Sequence, residues 1–248
     1  MIKLLIASLI ALSLVFSSAF AQVSIINDQQ YIGEDGIFHI VGEIENNSSV
    51  PLNQVVVTAT FYDINDKVLG IVNTNSILQT IMPGMKGPFD LISVNDLDSQ
   101  IHRYSLNIEY KPTDHKLGSL EILSSNAKHD MLDNFFISGT ITNHDQRTAN
   151  TIVVIATIYD KDGKVLATGK TYTEPEYLKG GGIVPFLVSI PDKSQSRKAV
   201  DYSLTVESEE YTAVPEFPLG SGIILLLSVI AYVMLTKRPR TLQQSLFM

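Results

Sequence analysis

The chain has 248 residues, a formal net charge of −8 and no cysteine. The acidic balance argues against binding to nucleic acid or to anionic lipid headgroups, because both are negatively charged. The absence of thiols excludes disulfide bonds and cysteine-based catalysis, so a folded domain of this chain depends on core packing alone.

The N-terminal segment, residues 1–21, has the three parts of a secretory signal in their usual order. Lys3 supplies a basic start, an apolar run follows, and Ala19 and Ala21 form the A-x-A pattern that signal peptidase requires. We predict cleavage after Ala21, which makes Gln22 the mature N-terminus. The alternative is an uncleaved anchor, but the apolar run is shorter than the about 20 residues that cross a bilayer.

The central part of the chain contains one pattern twice. Phe38–Asn46 aligns with Phe135–Asn143, and residues 55–63 align with residues 152–160, each 97 positions later. Agreement over these lengths at one offset indicates two copies of a single domain.

We place the first repeat at residues 22–110 and the second repeat at residues 119–210, joined by a short polar linker at 111–118. A linker of this length restricts the freedom of the domains, so we expect them to lie end to end or slightly bent.

Apolar residues occupy alternate positions in both repeats. In the first repeat Phe38, Ile40 and Ile44 define one such face, and Val57 and Phe61 belong to another. A period of two with one apolar side predicts β-strands that cover a core. The predicted fold class is therefore all-β, with two tandem β-sandwiches of about six or seven short strands each.

Aspartates mark the turn after the third strand pattern of each repeat. The second repeat has Asp160, Asp162 and Gly163 there, and the first has Asp63 and Asp66. Glycine accepts a positive φ and aspartate bonds its own backbone, so these residues predict hairpin turns. Calcium binding is the alternative, but the second-repeat turn lacks the glutamate that completes an EF-hand loop.

No catalytic or cofactor motif is recognisable. The sequence lacks a G-x-S-x-G nucleophile elbow and phosphate-binding glycine loops, and its five histidines lack metal-site spacing. We expect surface histidines, no cofactor, no bound metal and no enzyme. The alternatives are a metal carrier and an active site assembled from distant residues.

Asn46 and Asn47 begin two overlapping N-glycosylation sequons on a predicted exposed loop. Both are candidate sites of glycan attachment, and the equivalent loop of the second repeat has no sequon.

The C-terminal part divides into a stalk at 211–218, an uncharged apolar stretch at 219–236 and a tail at 237–248. The apolar stretch is long enough for a transmembrane helix when flanking residues are included. It has no polar face, which argues against the alternative of a buried core helix.

A basic flank follows the apolar stretch at once. Lys237, Arg238 and Arg240 keep the tail in the cytoplasm by the positive-inside rule. The predicted topology places the N-terminus outside and the C-terminus inside, so the repeats are extracytoplasmic and anchored to the cell membrane.

The repeats resemble the FxLyD domain in residues 42–47, in the Phe-Tyr-Asp of 61–63, and in the Pro-Gly and Pro-Phe pairs at 83–84 and 88–89. The naming motif is matched in part, since Ala59 stands at its leading phenylalanine. The resemblance implies an immunoglobulin-like sandwich in a secreted or membrane-anchored prokaryotic protein, with no known chemistry.

The tail resembles the PEF-CTERM sorting signal of archaea. Pro215, Glu216 and Phe217 precede the apolar stretch, and the basic flank follows it. The resemblance implies an archaeal protein that a membrane-embedded archaeosortase cuts near this motif. The chain departs from the pattern by extending beyond the basic flank, so a plain transmembrane anchor is the alternative.

These features favour a non-catalytic, surface-anchored binding or structural module of a prokaryotic cell envelope. Its expected partner is an envelope protein, a glycan or the chain itself. The alternative is an accessory subunit of a membrane complex, anchored by a retained single-pass helix that docks through Gly220 and Gly222.

Overall fold

The computed structural model describes residues 23–93 and 100–214, which are almost entirely β-structure. The described segments form these strands, together with one short helix, α1 (Lys193–Ser196): β1 (Val23–Ile32), β2 (Phe38–Asn46), β3 (Leu52–Tyr62), β4 (Val68–Asn75), β5 (Thr80–Ile81), β6 (Lys86–Ser93), β7 (Arg103–Pro112), β8 (Leu117–His129), β9 (Phe135–Asn143), β10 (Ala149–Asn150), β11 (Val153–Tyr159), β12 (Val165–Tyr172), β13 (Tyr177–Leu178), β14 (Ile183–Ile190), β15 (Asp201–Glu207) and β16 (Tyr211–Ala213). The predicted all-β class is confirmed.

Each repeat contains two sets of paired strands. In the first repeat the order β1-β2-β6 forms one sheet, and β3 pairs with β4, β5 and β7 in the other. In the second repeat the corresponding sets are β8-β9-β14 and β12-β11-β15, and the short β16 joins them into one seven-stranded sheet. All strand pairs described are antiparallel except that of β16 with β8.

The strand register repeats with the sequence offset. Gly42 of β2 lies opposite Phe89 of β6, and Gly139 of β9 lies opposite Phe186 of β14. A Cβ on either glycine would come within 2.8 and 2.7 Å of the facing phenylalanine ring. Each ring therefore covers its glycine, which explains why the two residue types recur together.

A separate hydrophobic cluster fills the space between the two sets of strands in each repeat. Phe38 and Phe61 meet edge to face in the first cluster, with ring centroids 5.7 Å apart. Phe135 and Ile158 are buried at the corresponding positions of the second cluster. The alternation that predicted the strands thus also identified the residues that face the core.

A buried asparagine at the end of the second strand fixes the loops of each repeat. Asn46 Nδ2 donates to the carbonyls of Val50 and Ile81, at 2.9 and 2.8 Å. Asn143 makes the same two bonds 97 positions later, at 2.8 and 3.1 Å. Because a buried amide must have its donors satisfied, this side chain ties two loops to the sheet.

The aspartate turns are hairpins, as the sequence predicts. Asp160 Oδ1 accepts the backbone N–H groups of Asp162 and Lys164, each at 2.9 Å, and Gly163 has φ 76°. Asp63 accepts the equivalent pair in the first repeat at 2.8 and 2.9 Å. In both turns one carboxylate oxygen is occupied by the backbone.

The two repeats belong to one compact unit that ends at Ala213, rather than to domains separated by a free linker. Within the predicted linker 111–118 only residues 113–116 lie outside strands. The backbone N–H of Thr113 donates to the carbonyl of Pro51 at 2.9 Å, which holds this connection against the first repeat. The repeats contact each other directly, through β12 of the second repeat and β1, β2 and β6 of the first.

The start of the predicted stalk is part of the fold, which corrects the boundary drawn at residue 211. Residues 211–213 form β16, and Tyr211 is 1% exposed. Glu210 accepts the backbone N–H of Asn150 at 2.9 Å, which holds the residue before β16 against the second repeat.

Candidate functional site

The principal site built by this fold is the contact between the repeats, here called the junction. It joins the outer face of β1-β2-β6 to the outer face of β12-β11-β15. Val41 and Glu43 point away from the first core, yet they are 0% and 2% exposed. Ile155 points away from the second core and packs into the cluster of the first repeat. Each repeat therefore covers a face that would otherwise be open to solvent.

A buried carboxylate lies at the centre of the junction. Glu43 Oε1 accepts a hydrogen bond of 2.6 Å from the hydroxyl of Tyr159, and Asn27 Nδ2 donates to its Oε2 at 3.2 Å. Lys86 Nζ lies 3.7 Å from the same oxygen. The Tyr159 hydroxyl also contacts Ser203 Oγ at 2.8 Å. Burial and the bond to Glu43 raise the pKa of Tyr159.

Two further bonds join β1 to the edge of the second repeat. Gln29 Nε2 donates to the carbonyl of Val165 at 2.5 Å, and Lys164 Nζ donates to the carbonyl of Asp28 at 3.2 Å. The acceptors are backbone atoms, so these bonds fix the position of β12 across β1.

A second buried carboxylate closes the other side of the junction. Glu207 is 2% exposed and accepts the backbone N–H groups of Gln79 and Thr80, at 2.7 and 3.3 Å. Lys116 Nζ, from the connection between the repeats, lies 3.8 Å from its Oε2 and donates to the carbonyl of Ser208 at 2.7 Å. Burial raises the pKa of Glu207 despite these partners.

A histidine, a tyrosine and an aspartate form a cluster at the edge of β1-β2-β6. The rings of Tyr31 and His39 stack with centroids 4.7 Å apart, and His39 Nδ1 lies 2.9 Å from Asp90 Oδ1. Burial raises the pKa of Asp90, and the bond to His39 opposes that shift. The side chain of His39 is 12% exposed, so this histidine is largely buried rather than at the surface as expected.

This cluster lies beside another bridge between the repeats. The backbone N–H of Glu34 donates to Asp192 Oδ2 at 3.2 Å. Asp192 also caps α1, where its Oδ1 accepts the N–H of Gln195 at 2.9 Å. Burial, followed by the charges of Asp90 and Asp192, raises the pKa of the neighbouring Tyr31.

The two sequon asparagines differ sharply. Asn46 is 0% exposed and donates both amide hydrogens inside the fold, so burial rules it out as a glycan acceptor in the folded chain. Asn47 is exposed and bonds only the neighbouring Glu45 carboxylate, at 2.7 Å. The prediction of an accessible sequon therefore stands for Asn47 alone.

The other predicted site residues lie outside the described residues. These are the signal cleavage residues, the sorting motif and the basic flank: Ala19, Ala21, Gln22, Pro215, Glu216, Phe217, Lys237, Arg238 and Arg240. Within 23–93 and 100–214, no helix has the length and apolar character needed to cross a membrane. The same two segments hold no group of three or more histidine, aspartate or glutamate side chains suited to a metal ion.

Sequence reasoning did not identify the junction residues Glu43, Tyr159 and Glu207. Each occupies a polar position in an alternating strand, which predicts a solvent-facing side chain. One available signal was the occurrence of a tyrosine before the aspartate turn in both repeats, at Tyr62 and Tyr159.

No family model and no curated protein sequence matches the chain. Among solved structures it is similar to an exo-chitosanase of Amycolatopsis orientalis at 12% identity and a TM-score of 0.27, over 79% of this chain and 26% of that one. Red sea bream transglutaminase aligns at 10% identity and a TM-score of 0.26, over 81% and 32% of the two chains. A β-glucuronidase from glycoside hydrolase family 2 aligns at 13% identity and a TM-score of 0.26, over 75% and 23%. The chain thus spans about a quarter to a third of these proteins.

Replacing Tyr159 with phenylalanine is expected to destabilise the fold by about 1–3 kcal/mol, because the buried Glu43 carboxylate loses its shortest donor. The matched control is Tyr62→Phe, whose hydroxyl makes only an exposed contact of 3.4 Å with Ser105. That change should stay within about 0.5 kcal/mol. Urea unfolding of the two variants measures the difference, and equal losses would contradict the buried bond.

Glu207→Gln should remove a pH-dependent part of the unfolding free energy. Because the pKa of Glu207 is raised above its ordinary 4.5 in the folded chain, its protonated form is favoured by folding. The wild type should therefore gain stability relative to the variant as the pH falls from about 7 to about 4. Urea unfolding of both chains across this range gives the difference, and a loss of wild-type stability relative to the variant on acidification would be inconsistent with the raised pKa.

Proposed function

We propose that the chain is a non-catalytic, surface-anchored binding or structural module that works outside the cytoplasm of a prokaryotic, archaeal cell. The observation that supports this most is the junction. Its buried polar groups, Glu43, Tyr159 and Glu207, bond one repeat to the other. Groups used in this way hold two repeats in a fixed orientation, which suits presentation of surfaces to a partner.

We further propose that each repeat is an immunoglobulin-like β-sandwich of the FxLyD kind. In support, each repeat has two sets of strands on opposite sides of one hydrophobic cluster. The offset of 97 residues preserves both the glycine–phenylalanine pairing and the buried asparagine.

The proposed location rests on the two ends of the sequence. Residues 1–21 direct export, and residues 219–236 with their basic flank hold the chain in the membrane until an archaeosortase cuts near residues 215–217. In this scheme the partner is an envelope protein, a glycan or the chain itself, and no nucleic acid or cofactor is involved.

Labelling of intact cells with a membrane-impermeant amine reagent tests the location. Lys161, whose side chain is 83% exposed, is a suitable target in the second repeat. We expect the same labelling in intact and lysed cells, whereas a cytoplasmic reference protein is labelled only after lysis. Labelling of Lys161 confined to lysed cells would overturn the proposal.

Intact-mass measurement of protein from native membranes tests the processing. We expect a species that ends near residues 215–217. Joint replacement of Glu216 and Phe217 by alanine should block cutting but leave insertion unchanged, because apolarity and the basic flank drive insertion. A species ending at Met248 in both chains would instead indicate a plain anchor and would favour the accessory-subunit alternative.

A further inference from the structure

The junction uses a different outer face of each repeat. Each repeat therefore has another outer face, the one that its partner repeat contributes, which the junction leaves uncovered. The first repeat contributes the outer face of β1-β2-β6, which leaves the outer face of β4-β3-β7 open; we call this the leading face. The second repeat contributes the outer face of β12-β11-β15, which leaves the outer face of β8-β9-β14 open; we call this the trailing face.

The leading face retains the polar centre of the junction. Tyr62 and Ser105 occupy the positions that Tyr159 and Ser203 occupy in the second repeat. Their hydroxyls face each other at 3.4 Å, as those of Tyr159 and Ser203 do at 2.8 Å. In the second repeat the Tyr159 hydroxyl donates to the carboxylate of Glu43, whereas the contact between Tyr62 and Ser105 on the leading face is exposed to solvent.

The leading face also has the residues that lie at the edge of the junction in the second repeat. Lys67 and Val68 correspond to Lys164 and Val165, which meet β1 in the junction. Val165 is buried at the junction and lies outside the core cluster of its own repeat. Val68 is 49% exposed at the same position. An identical valine is thus covered in one repeat and open in the other.

The trailing face presents exposed apolar side chains, one of them at the position of a proline that is buried in the junction. Pro88 is buried in the junction, but its counterpart Pro185 is exposed, and Leu187 beside it is 53% exposed. Asn126 supplies a primary amide at the position of Gln29, whose amide donates across the junction at 2.5 Å. This face therefore offers an amide donor and apolar area to an incoming edge strand.

We propose that a second copy of this chain docks its leading face on the trailing face of the first, so that chains associate head to tail in the geometry of the junction. The proposal rests on the proposed function, since it names the partner of the module. A contact between two different faces leaves one free face at each end of the assembly. It therefore generates open rows of chains, or rings where the rotation between chains closes.

The contact between chains is weaker than the junction, because several junction residues are replaced, among them Val41, whose counterpart is Ser138. Thr58 stands at the position of the buried Ile155, and Thr140 stands at the position of Glu43. Because less apolar area is buried, the association of two chains is less favourable than the contact within one chain. Assembly therefore depends on a high local concentration of chains, such as a surface anchor provides.

Cross-linking between single-cysteine variants of the full chain in detergent tests the orientation, because the natural sequence has no cysteine. Lys67→Cys marks the leading face and Asn126→Cys marks the trailing face. With a short bis-maleimide, a mixture of the two variants should give a covalent dimer in at least tenfold higher yield than either variant alone. Equal yields from the mixture and the single variants, or no dimer at the highest concentration, would overturn the proposal.

Charge placed on either face tests whether the faces themselves associate. Val68→Glu and Leu187→Glu should each lower the dimer yield at least tenfold, and circular dichroism should show an unchanged fold because both side chains are half exposed. Met131→Glu is the control, since Met131 is 104% exposed in the turn between β8 and β9. An unchanged yield in the Leu187 variant would contradict the docking. No dimer from the mixture of Lys67→Cys and Asn126→Cys chains, together with labelling of Lys161 in intact cells, would reject this partner and leave the proposed function in place.

Discussion

Phe61→Asp is expected to unfold the first repeat, whereas Thr60→Asp leaves it folded. Phe61 is 2% exposed and packs edge to face on Phe38 in the first cluster. The aspartate removes this packing and buries a charge without a partner, which together exceed about 4 kcal/mol. A domain with a stability of roughly 5–15 kcal/mol has little margin for such a loss.

Thr60 is the matched control because it is the preceding residue of the same strand. Its side chain points to the outer face of β3 and is partly exposed, so an aspartate there keeps contact with water. Thermal unfolding followed by circular dichroism compares the two variants. If they melt alike, the register assigned to β3 is wrong, because successive residues of a strand point to opposite faces.

Gly139→Ala is expected to cost about 3 kcal/mol or more, at the upper end of the range for overpacking. The added Cβ would clash with the carbonyl oxygen of Ser124 on the neighbouring strand β8 and would lie 2.7 Å from the ring of Phe186. The first contact is with backbone, so β8 and β9 must separate to relieve it. Urea unfolding of the variant measures the loss.

The same substitution at two other glycines is expected to cost less. Gly42→Ala meets the ring of Phe89 at 2.8 Å and the Cβ of Asp28 at 3.0 Å, both side-chain atoms, so its cost should be smaller. Gly70→Ala meets nothing within 4 Å and has no positive φ, so it should stay within about 0.5 kcal/mol. An order of losses other than Gly139, Gly42, Gly70 would contradict the packing described for β9.

Alternation in the sequence predicted which residues face each core, because the side-chain period of a strand is fixed at two. Phe38, Ile40, Val57 and Phe61 are all buried in the first cluster. The aspartate turns were also predictable, since their conformation depends on local bonds between a side chain and its own backbone.

The same rule could not predict the junction. Alternation tells which side chains point away from a core, but not that a second repeat covers them. The alternating pattern predicts that the side chain of Glu43 faces solvent, but Glu43 is 2% exposed. Tyr62 and Tyr159 both directly precede an aspartate turn, and their sequence positions do not show that only Tyr159 has a buried carboxylate opposite it.

Asn46 illustrates a conflict between a short motif and the fold. The sequon marked it as a glycan site, yet its side chain is buried and bonded. Its counterpart Asn143 stands at the same place in the second repeat but has no sequon. An asparagine that recurs without a sequon indicates a structural role, and the sequence already contained this signal.

The fixed orientation of the two repeats is the central claim, and the distance between a spin label on each repeat tests it most directly. Lys111→Cys in β7 and Lys128→Cys in β8 provide exposed strand positions, and the absence of natural cysteine makes labelling specific. Electron–electron double resonance on the doubly labelled full chain, diluted with unlabelled chain, should give a single narrow distance distribution. A broad or multiple distribution would show that the repeats move independently and would contradict a junction that holds them as one unit.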